Sequence, residues 1–179
     1  MKKLFLVLLA AVMLLSCAAY AEEEIILPDT ENATARIGDV EFTLDNEGTY
    51  FDFTYKYPAE FQLEIKEETD RVRHLLRWYP DEDYLKPAVG LVISRTKAYS
   101  TPEERLTDVA FIDQVTSEEI NGMVWWIGVD TDDSNSSVII WSCAAGGYVY
   151  TFSFSSEFPE DFDYAEFART FVEQVAPVE

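Results

Sequence analysis

The chain has 179 residues, of which 34 are acidic and 13 are basic, and its formal net charge is −21. This charge argues against nucleic acid as a partner, because phosphate binding needs clustered lysine and arginine, and against attachment to anionic lipid by charge alone. The length fits one domain, and two cysteines are too few for a disulfide-stapled fold, so a hydrophobic core must supply the stability.

The N-terminus has the pattern of an export signal. Two lysines precede an apolar run at residues 4–15, and small residues follow it. A run of about 12 residues is shorter than the roughly 20 that span a bilayer, so it predicts a secretory signal peptide at residues 1–21 instead of a membrane anchor. Residues 22–36 are predicted to form a flexible, acidic lead, and residues 37–179 form the predicted domain.

Two cleavage sites compete at the end of this signal. Ala19-Tyr20-Ala21 is an A-x-A site, and cleavage there would release a free protein that starts at Glu22. Leu14-Leu15-Ser16-Cys17 resembles a bacterial lipobox, although Leu15 is larger than the usual residue, and it would leave an acylated Cys17 at the N-terminus. Both routes predict a secreted or extracytoplasmic protein of the cell envelope, with membrane contact only through an acylated Cys17.

Residue patterns then predict strands in chain order. A turn is predicted at residues 45–48, DNEG, and the alternation of Phe51, Phe53, Tyr55 and Tyr57 predicts one half-buried strand at 50–57. The remaining apolar or alternating segments predict strands at residues 39–44, 61–65, 72–79, 89–95, 115–120, 123–130, 137–144 and 148–155.

Two helices are predicted. The first begins at Thr101, where TPEE combines a threonine N-cap, a proline at the first helical position and a glutamate three residues after the cap. The second begins at about Asp163. Its apolar stripe has helical spacing and consists of Tyr164, Phe167, Ala168, Phe171, Val172 and Val175.

The order of elements predicts the fold class. Asn121-Gly122 and Gly146-Gly147 are hairpin turns, and hairpins imply an antiparallel sheet. The strands at residues 124–127, VWWI, and 138–141, VIIW, are apolar on both faces, so they need a covering layer on each side. The expected fold is therefore α+β, with an antiparallel sheet flanked by helices on both faces in an α-β-α sandwich.

Several motifs in this order resemble the PsbP-like family, which includes a photosystem extrinsic protein, a Ran-binding nuclear-import factor and bacterial envelope lipoproteins. The motifs are FTYKYP at residues 53–58, TPEE at 101–104, INGM at 120–123, YVYTF at 148–152 and the final helix. The resemblance covers roughly residues 37–178. It implies an α-β-α sandwich and a non-catalytic role in partner binding or assembly, and it transfers no functional residue to this chain.

The sequence offers no convincing catalytic set. His74, the single histidine, alternates with Val72 and Leu76 on a strand and is interpreted as a structural residue. Cys143 lies beside Trp141 and is interpreted as a small core residue, so a Cys143–His74 dyad is disfavoured. No phosphate-cradling glycine loop is present in the sequence, and no cofactor is predicted.

Calcium is the one metal that the sequence suggests. Asp130, Asp132 and Asp133, with Asn135, place oxygen ligands on one loop, but the glycine and the final glutamate of an EF-hand are missing. A solvated turn is the preferred interpretation. The leading hypothesis is an exported, non-catalytic envelope protein that binds a partner protein or a small apolar ligand. The alternatives are an extracellular carboxylate-dependent hydrolase and a calcium-binding module.

Overall fold

A computed structural model describes residues 33–69, 71–81, 85–130, 137–158 and 161–178. The signal at 1–21 and residues 22–32 of the predicted lead lie outside them, and the first strand begins at Thr34. The elements of the described part are β1 (Thr34–Ile37), β2 (Val40–Thr43), β3 (Asn46–Tyr50), β4 (Phe53–Tyr57), β5 (Gln62–Glu68), β6 (Arg71–Trp78), β7 (Val89–Lys97), α1 (Pro102–Thr107), β8 (Gln114–Ile120), β9 (Met123–Val129), β10 (Ser137–Ala145), β11 (Tyr148–Ser156), α2 (Ala165–Glu173) and β12 (Ala176–Pro177).

Seven antiparallel strands form the main sheet, in the order β5-β6-β7-β11-β10-β9-β8. Two of its hairpins turn where the sequence predicts. Asn121 and Gly122 have φ angles of 53° and 73°, and Gly146 and Gly147 have φ angles of 57° and 81°. Positive φ at both central residues is what a two-residue turn of type I′ requires, so both hairpin predictions are confirmed.

The inner face of the main sheet carries an aromatic core. His74, Ile93 and Phe152 lie opposite one another in register on this face. Helix α2 and two small sheets, β1-β2 and β12-β4-β3, cover it. The largest fully buried side chains include Tyr50, Tyr55, Phe53, Trp125, Tyr150, Phe152, Phe154, Phe167 and Phe171. Their rings meet mainly edge to face, the arrangement that aromatic quadrupoles favour.

The outer face of the main sheet is only partly covered. Helix α1 has six residues and packs over β9 and β10, where Leu106 and Ile112 lie against Gly128. The predicted capping box at Thr101 is confirmed, since the Thr101 side chain accepts the Glu104 N–H and the Glu104 side chain accepts the Thr101 N–H. Beyond this end, the outer positions Thr151, Ser153 and Ser155 of β11 are polar and half-buried.

The predicted α-β-α sandwich is wrong. The described chain is mostly β, and its two helices do not form a covering layer on each face: the six-residue α1 covers only one end of the outer face, and α2 shares the inner face with two small sheets. The prediction extended the two-sided apolar pattern of β9 and β10 to the whole sheet. Those are the strands that the short helix α1 covers, whereas most outer positions of β6, β7 and β11 carry arginine, serine or threonine, which tolerate solvent.

The prediction of a turn at 45–48 followed by one strand at 50–57 is also wrong. Residues 46–50 are strand β3, and the chain reverses at Phe51-Asp52 into β4. Phe51 takes a φ of 54°, a conformation that a bulky residue rarely adopts. Turn propensity cannot anticipate it, because contacts with distant parts of the chain hold Phe51 in place.

Candidate functional site

His74 is a core residue. It is 6% exposed on the inner face, and a 2.6 Å hydrogen bond joins its Nδ1 to the Tyr55 hydroxyl. The Tyr50 ring meets it edge to face at 4.9 Å. Burial lowers the pKa of His74 and raises the pKa of Tyr55, so both groups are neutral at pH 7.

Cys143 cannot pair with His74. It is 1% exposed on β10, and β7 and β11 lie between β10 and β6. Three strand spacings separate the two residues by about 14 Å, which is far beyond hydrogen-bond reach. Burial raises the pKa of the Cys143 thiol to about 12, so it stays protonated and inert at neutral pH.

We expect His74 to make the free energy of unfolding depend on pH below about 6.5. Its pKa is lowered in the folded state, so its contribution to stability is complete above the unfolded value of 6.5 and is lost as the pH falls below it. Because the chain has one histidine, urea unfolding of the wild type and of His74→Gln at pH 7.5 and 5.5 isolates this effect. The free energy of unfolding should fall more between these pH values in the wild type than in His74→Gln, and equal falls would contradict the assignment.

The calcium hypothesis concentrates on the loop after β9. Asp130 is half-buried, and its backbone N–H donates to the Val138 carbonyl at 3.1 Å. Asp132 and Asp133 lie outside the described residues. Across the described ranges, no group of three or more histidine, cysteine, aspartate or glutamate side chains could hold a metal ion. Calcium binding at this loop therefore stays a prediction.

A groove next to Asp130 is small. It has a volume of about 140 Å³ and lies between the ends of β9 and β10 and the segment that leads into α2, with Asp130, Phe162, Asp163 and Tyr164 in its lining. Sites for small molecules usually enclose about 300–1,000 Å³. Two carboxylates line this groove, but it leaves little room for a hydrolase substrate or for an apolar ligand.

A different surface combines a cation with exposed rings. Arg95 stands at the end of β7, where its guanidinium carbon lies 3.2 Å from the centroid of the Phe51 ring and 4.3 Å from that of Tyr148. Lys97 and Tyr99 follow it, with the Lys97 ammonium 5.8 Å from the Tyr99 ring. We call these five residues the Arg95 surface. Tyr99 is 87% exposed and Phe51 is 41% exposed.

Hydrogen bonds behind the rings fix the position of Arg95. Its Nη1 donates to the Tyr150 hydroxyl at 3.3 Å, and that hydroxyl donates to Asp52 Oδ2 at 2.5 Å. Burial, followed by the Asp52 hydrogen bond, raises the pKa of Tyr150, so this hydroxyl keeps its proton and can donate it. The charge of Arg95 is thereby connected to Asp52 through a neutral tyrosine, and no direct Arg95–Asp52 ion pair forms.

Tyr50 anchors the turn that carries Phe51. Its hydroxyl donates to the Val72 carbonyl at 2.6 Å, and its ring meets the Phe51 ring edge to face at 4.9 Å. Burial raises the pKa of Tyr50 to about 12, so this bond persists to high pH. The rare φ of Phe51 is therefore imposed by the partly buried Tyr50 hydrogen bond and by the contacts of the Phe51 ring with Tyr50 and Arg95.

Sequence reasoning missed the Arg95 surface. The alternation at residues 50–57 predicts that Phe51 lies on the face of a continuous strand, and the pattern at 89–95 places Arg95 at a strand end without indicating a role. The signal exists only in three dimensions, because Arg95 meets Tyr150 through the pairing of β7 with β11. The sequence shows the alternation of Tyr148 and Tyr150, but it does not show that Arg95 lies between the Phe51 and Tyr148 rings.

Comparisons with known proteins identify the fold. No protein-family model and no curated protein matches the sequence. Among solved structures, cyanobacterial PsbP from Synechocystis sp. PCC 6803 is similar over 82% of this chain and 94% of that chain, with 11% identity and a TM-score of 0.52. A crystal structure from Bacteroides thetaiotaomicron VPI-5482 is similar at 12% identity and a TM-score of 0.48, over 71% of this chain and 45% of that one.

The chain therefore has a PsbP-like fold, as the sequence motifs predict. At 11% identity the similarity defines the architecture and leaves the partner open. None of the helices in the described part of the chain is long and apolar enough to cross a membrane.

Proposed function

We propose that the protein is an exported, non-catalytic binding protein that docks a partner protein through the Arg95 surface. The observation that carries the proposal is the guanidinium of Arg95, which lies between the Phe51 and Tyr148 rings at 3.2 and 4.3 Å beside the exposed Tyr99. Arginine and tyrosine are the residues that most often dominate the binding energy of protein interfaces. A PsbP-like fold is compatible with such a role.

The Arg95 surface is held ready before any partner arrives. Stacking and the Tyr150 hydrogen bond restrict the Arg95 side chain, so little rotamer entropy remains to be lost on binding. Immobilising a mobile side chain costs roughly 0.5–1.5 kcal/mol on association, and a stacked arginine has met most of that cost already. An exposed tyrosine next to it adds a large apolar area with few rotatable bonds.

Two further observations favour a protein partner over a substrate or a small apolar ligand. The candidate nucleophile and base, Cys143 and His74, are buried and far apart on the main sheet. The groove beside Asp130 has a volume of about 140 Å³, which is small for a ligand site. The Arg95 surface is instead open and flanked by rings, as a protein interface would be.

Affinity capture with matched variants tests the proposal. Protein beginning at Glu22 would be immobilised and exposed to envelope extract from the producing cell, and the retained partner would then be titrated. We expect Tyr99→Ala and Arg95→Gln each to weaken that binding by about tenfold or more, since a hot-spot truncation costs about 1.4 kcal/mol or more.

Controls come from equivalent residues elsewhere. Phe111→Ala removes an aromatic ring that is 49% exposed, and Arg169→Gln removes an arginine that pairs with Glu118 and Glu173. Both should bind like the wild type, and circular dichroism should show that all four variants are folded. If the controls lose as much affinity as Tyr99→Ala and Arg95→Gln, the Arg95 surface is not the interface.

Export has two possible end points, and an intact mass of the protein from its producing cell distinguishes them. A chain that starts at Glu22 means release as a free protein, and an acylated Cys17 means attachment to a membrane.

A further inference from the structure

The uncovered part of the outer face is basic, although the chain as a whole is strongly acidic. Arg71, Arg73 and Arg77 occupy three of the four outer positions of β6, with the buried Leu75 at the fourth, and Lys66 occupies an outer position of β5. Arg105 of α1 reaches the same face by donating to the Thr96 hydroxyl. We call these five residues the basic face. They are five of the 13 lysines and arginines of a chain whose net charge is −21.

Two carboxylates on this face each serve two cations. Glu68 accepts from Arg71 at 2.5 Å and also from Arg73. Glu64 accepts from Arg77 at 2.8 Å and lies 3.5 Å from the Lys66 ammonium. The outer positions of β5, β6, β7 and β11 carry no other acid, so on these strands the four cations Lys66, Arg71, Arg73 and Arg77 exceed the two carboxylates.

The floor beside the arginines carries hydroxyls on both sides of Val92, which lies opposite Leu75. Arg73 lies opposite Ser94, and Ser94 lies opposite Thr151 on the next strand. Gly90 and Ser155 continue the floor beside Arg77. Small side chains leave room for a polypeptide to lie on the sheet, and hydroxyls can donate to carboxylate oxygens.

From this arrangement we infer that the basic face binds an extended acidic segment of a partner protein, on the opposite side of the sheet from the Arg95 surface. Residues of a β-strand advance by about 3.3 Å each, so Arg71 and Arg73 lie about 6.6 Å apart and Arg77 lies about 13 Å beyond Arg73, a spacing that matches carboxylates two and four residues apart on an extended peptide. Strand β5 already displays this recognition. It is itself an extended segment whose Glu64 and Glu68 pair with the β6 arginines.

Arginine suits this ligand because its planar guanidinium offers several N–H donors, so one arginine can bind a strand carboxylate and a second carboxylate together. The negative charge elsewhere on the chain does not prevent binding. The four strands β5, β6, β7 and β11 span about 15–20 Å, whereas the Debye length is about 10 Å at 0.1 M salt, so acids beyond them are largely screened.

The inference is tested by measuring the binding of a labelled peptide by fluorescence anisotropy at 50 mM salt. The peptide has ten residues of alternating glutamate and serine. Arg73→Gln/Arg77→Gln should weaken binding about tenfold or more, because two charge-assisted contacts are lost. In this variant Glu68 is still paired with Arg71 and Glu64 is still paired with Lys66, so we expect the protein to fold. A variant with equal loss of charge, Arg36→Gln/Lys56→Gln on β1 and β4, should bind within about twofold of the wild type.

A second variant should change binding in the opposite direction. Glu64→Gln/Glu68→Gln removes the competing carboxylates of β5 and should tighten the peptide several-fold, a gain that misfolding cannot produce. The inference is overturned if the peptide fails to bind at 1 mM. It is overturned too if Arg73→Gln/Arg77→Gln and the control Arg36→Gln/Lys56→Gln lose the same affinity for the peptide. It is also overturned if polyphosphate or phosphatidylglycerol vesicles bind this face more tightly than the peptide.

Discussion

Replacing Phe171 by alanine is expected to lower the free energy of unfolding by about 3–5 kcal/mol. Phe171 is fully buried in α2, and its ring centroid lies 5.7 Å from those of Tyr55 and Phe154. The side chain thus joins the helix to a small sheet and to the main sheet at once. Alanine would lose the transfer free energy of the ring and leave a cavity that rigid aromatic neighbours cannot fill.

Urea unfolding followed by tryptophan fluorescence measures this loss. Domains of this size are stable by about 5–15 kcal/mol, so the variant should unfold at a much lower urea concentration, and it should retain little margin at 37 °C. Phe111→Ala is the matched control, because Phe111 is 49% exposed and its truncation should cost less than about 1 kcal/mol. Similar losses in the two variants would mean that α2 does not close the core.

Replacing Gly48 by alanine is expected to cost about 3 kcal/mol, although it adds only one methyl group. Gly48 lies opposite Tyr55 in the β3–β4 hairpin, and the Tyr55 ring covers it. A Cβ at this position would lie 2.5 Å from the Tyr55 hydroxyl oxygen and 2.7 Å from Cε2. The ring would have to move, and the buried hydrogen bond to His74 would be strained or lost.

A double-mutant cycle separates this clash from a general effect of alanine in a strand. Gly90→Ala is the control, since the nearest atom to its new Cβ would be Ser155 Oγ at 3.7 Å, and it should change stability by less than about 1 kcal/mol. With Tyr55→Ala in place the ring is gone, so Gly48→Ala should then cost little. An equal cost with and without the Tyr55 ring would show that the ring does not cover Gly48.

Local signals were sufficient for much of the fold. The turns at Asn121-Gly122 and Gly146-Gly147 and the capping box at Thr101 depend on residues only a few positions apart, and all three were predicted correctly. The closing helix was also anticipated, but it begins at Ala165, after Asp163 accepts the Ala165 N–H at 3.0 Å. The apolar stripe identified its buried side.

Long-range pairing accounts for what the sequence could not predict. Whether β6, β7 and β11 have a covered outer face depends on which element packs there, and the short α1 packs mainly on β8, β9 and β10. Phe51 adopts its turn conformation because Tyr50 is bonded to Val72 and because Arg95 stacks on its ring. Val72 and Arg95 are far from Phe51 in the sequence, so residue patterns alone indicate a continuous strand.

Site-specific photo-crosslinking in the producing cell is the most direct test of the central claim that the Arg95 surface docks a partner protein. A benzophenone amino acid would replace Tyr99 in one strain and Phe111, the exposed control, in another. We predict one discrete protein adduct from position 99, little adduct from position 111, and loss of the position-99 adduct when Arg95→Gln is added. Equal adducts at both positions, or a position-99 adduct that is unchanged by Arg95→Gln, would contradict the claim.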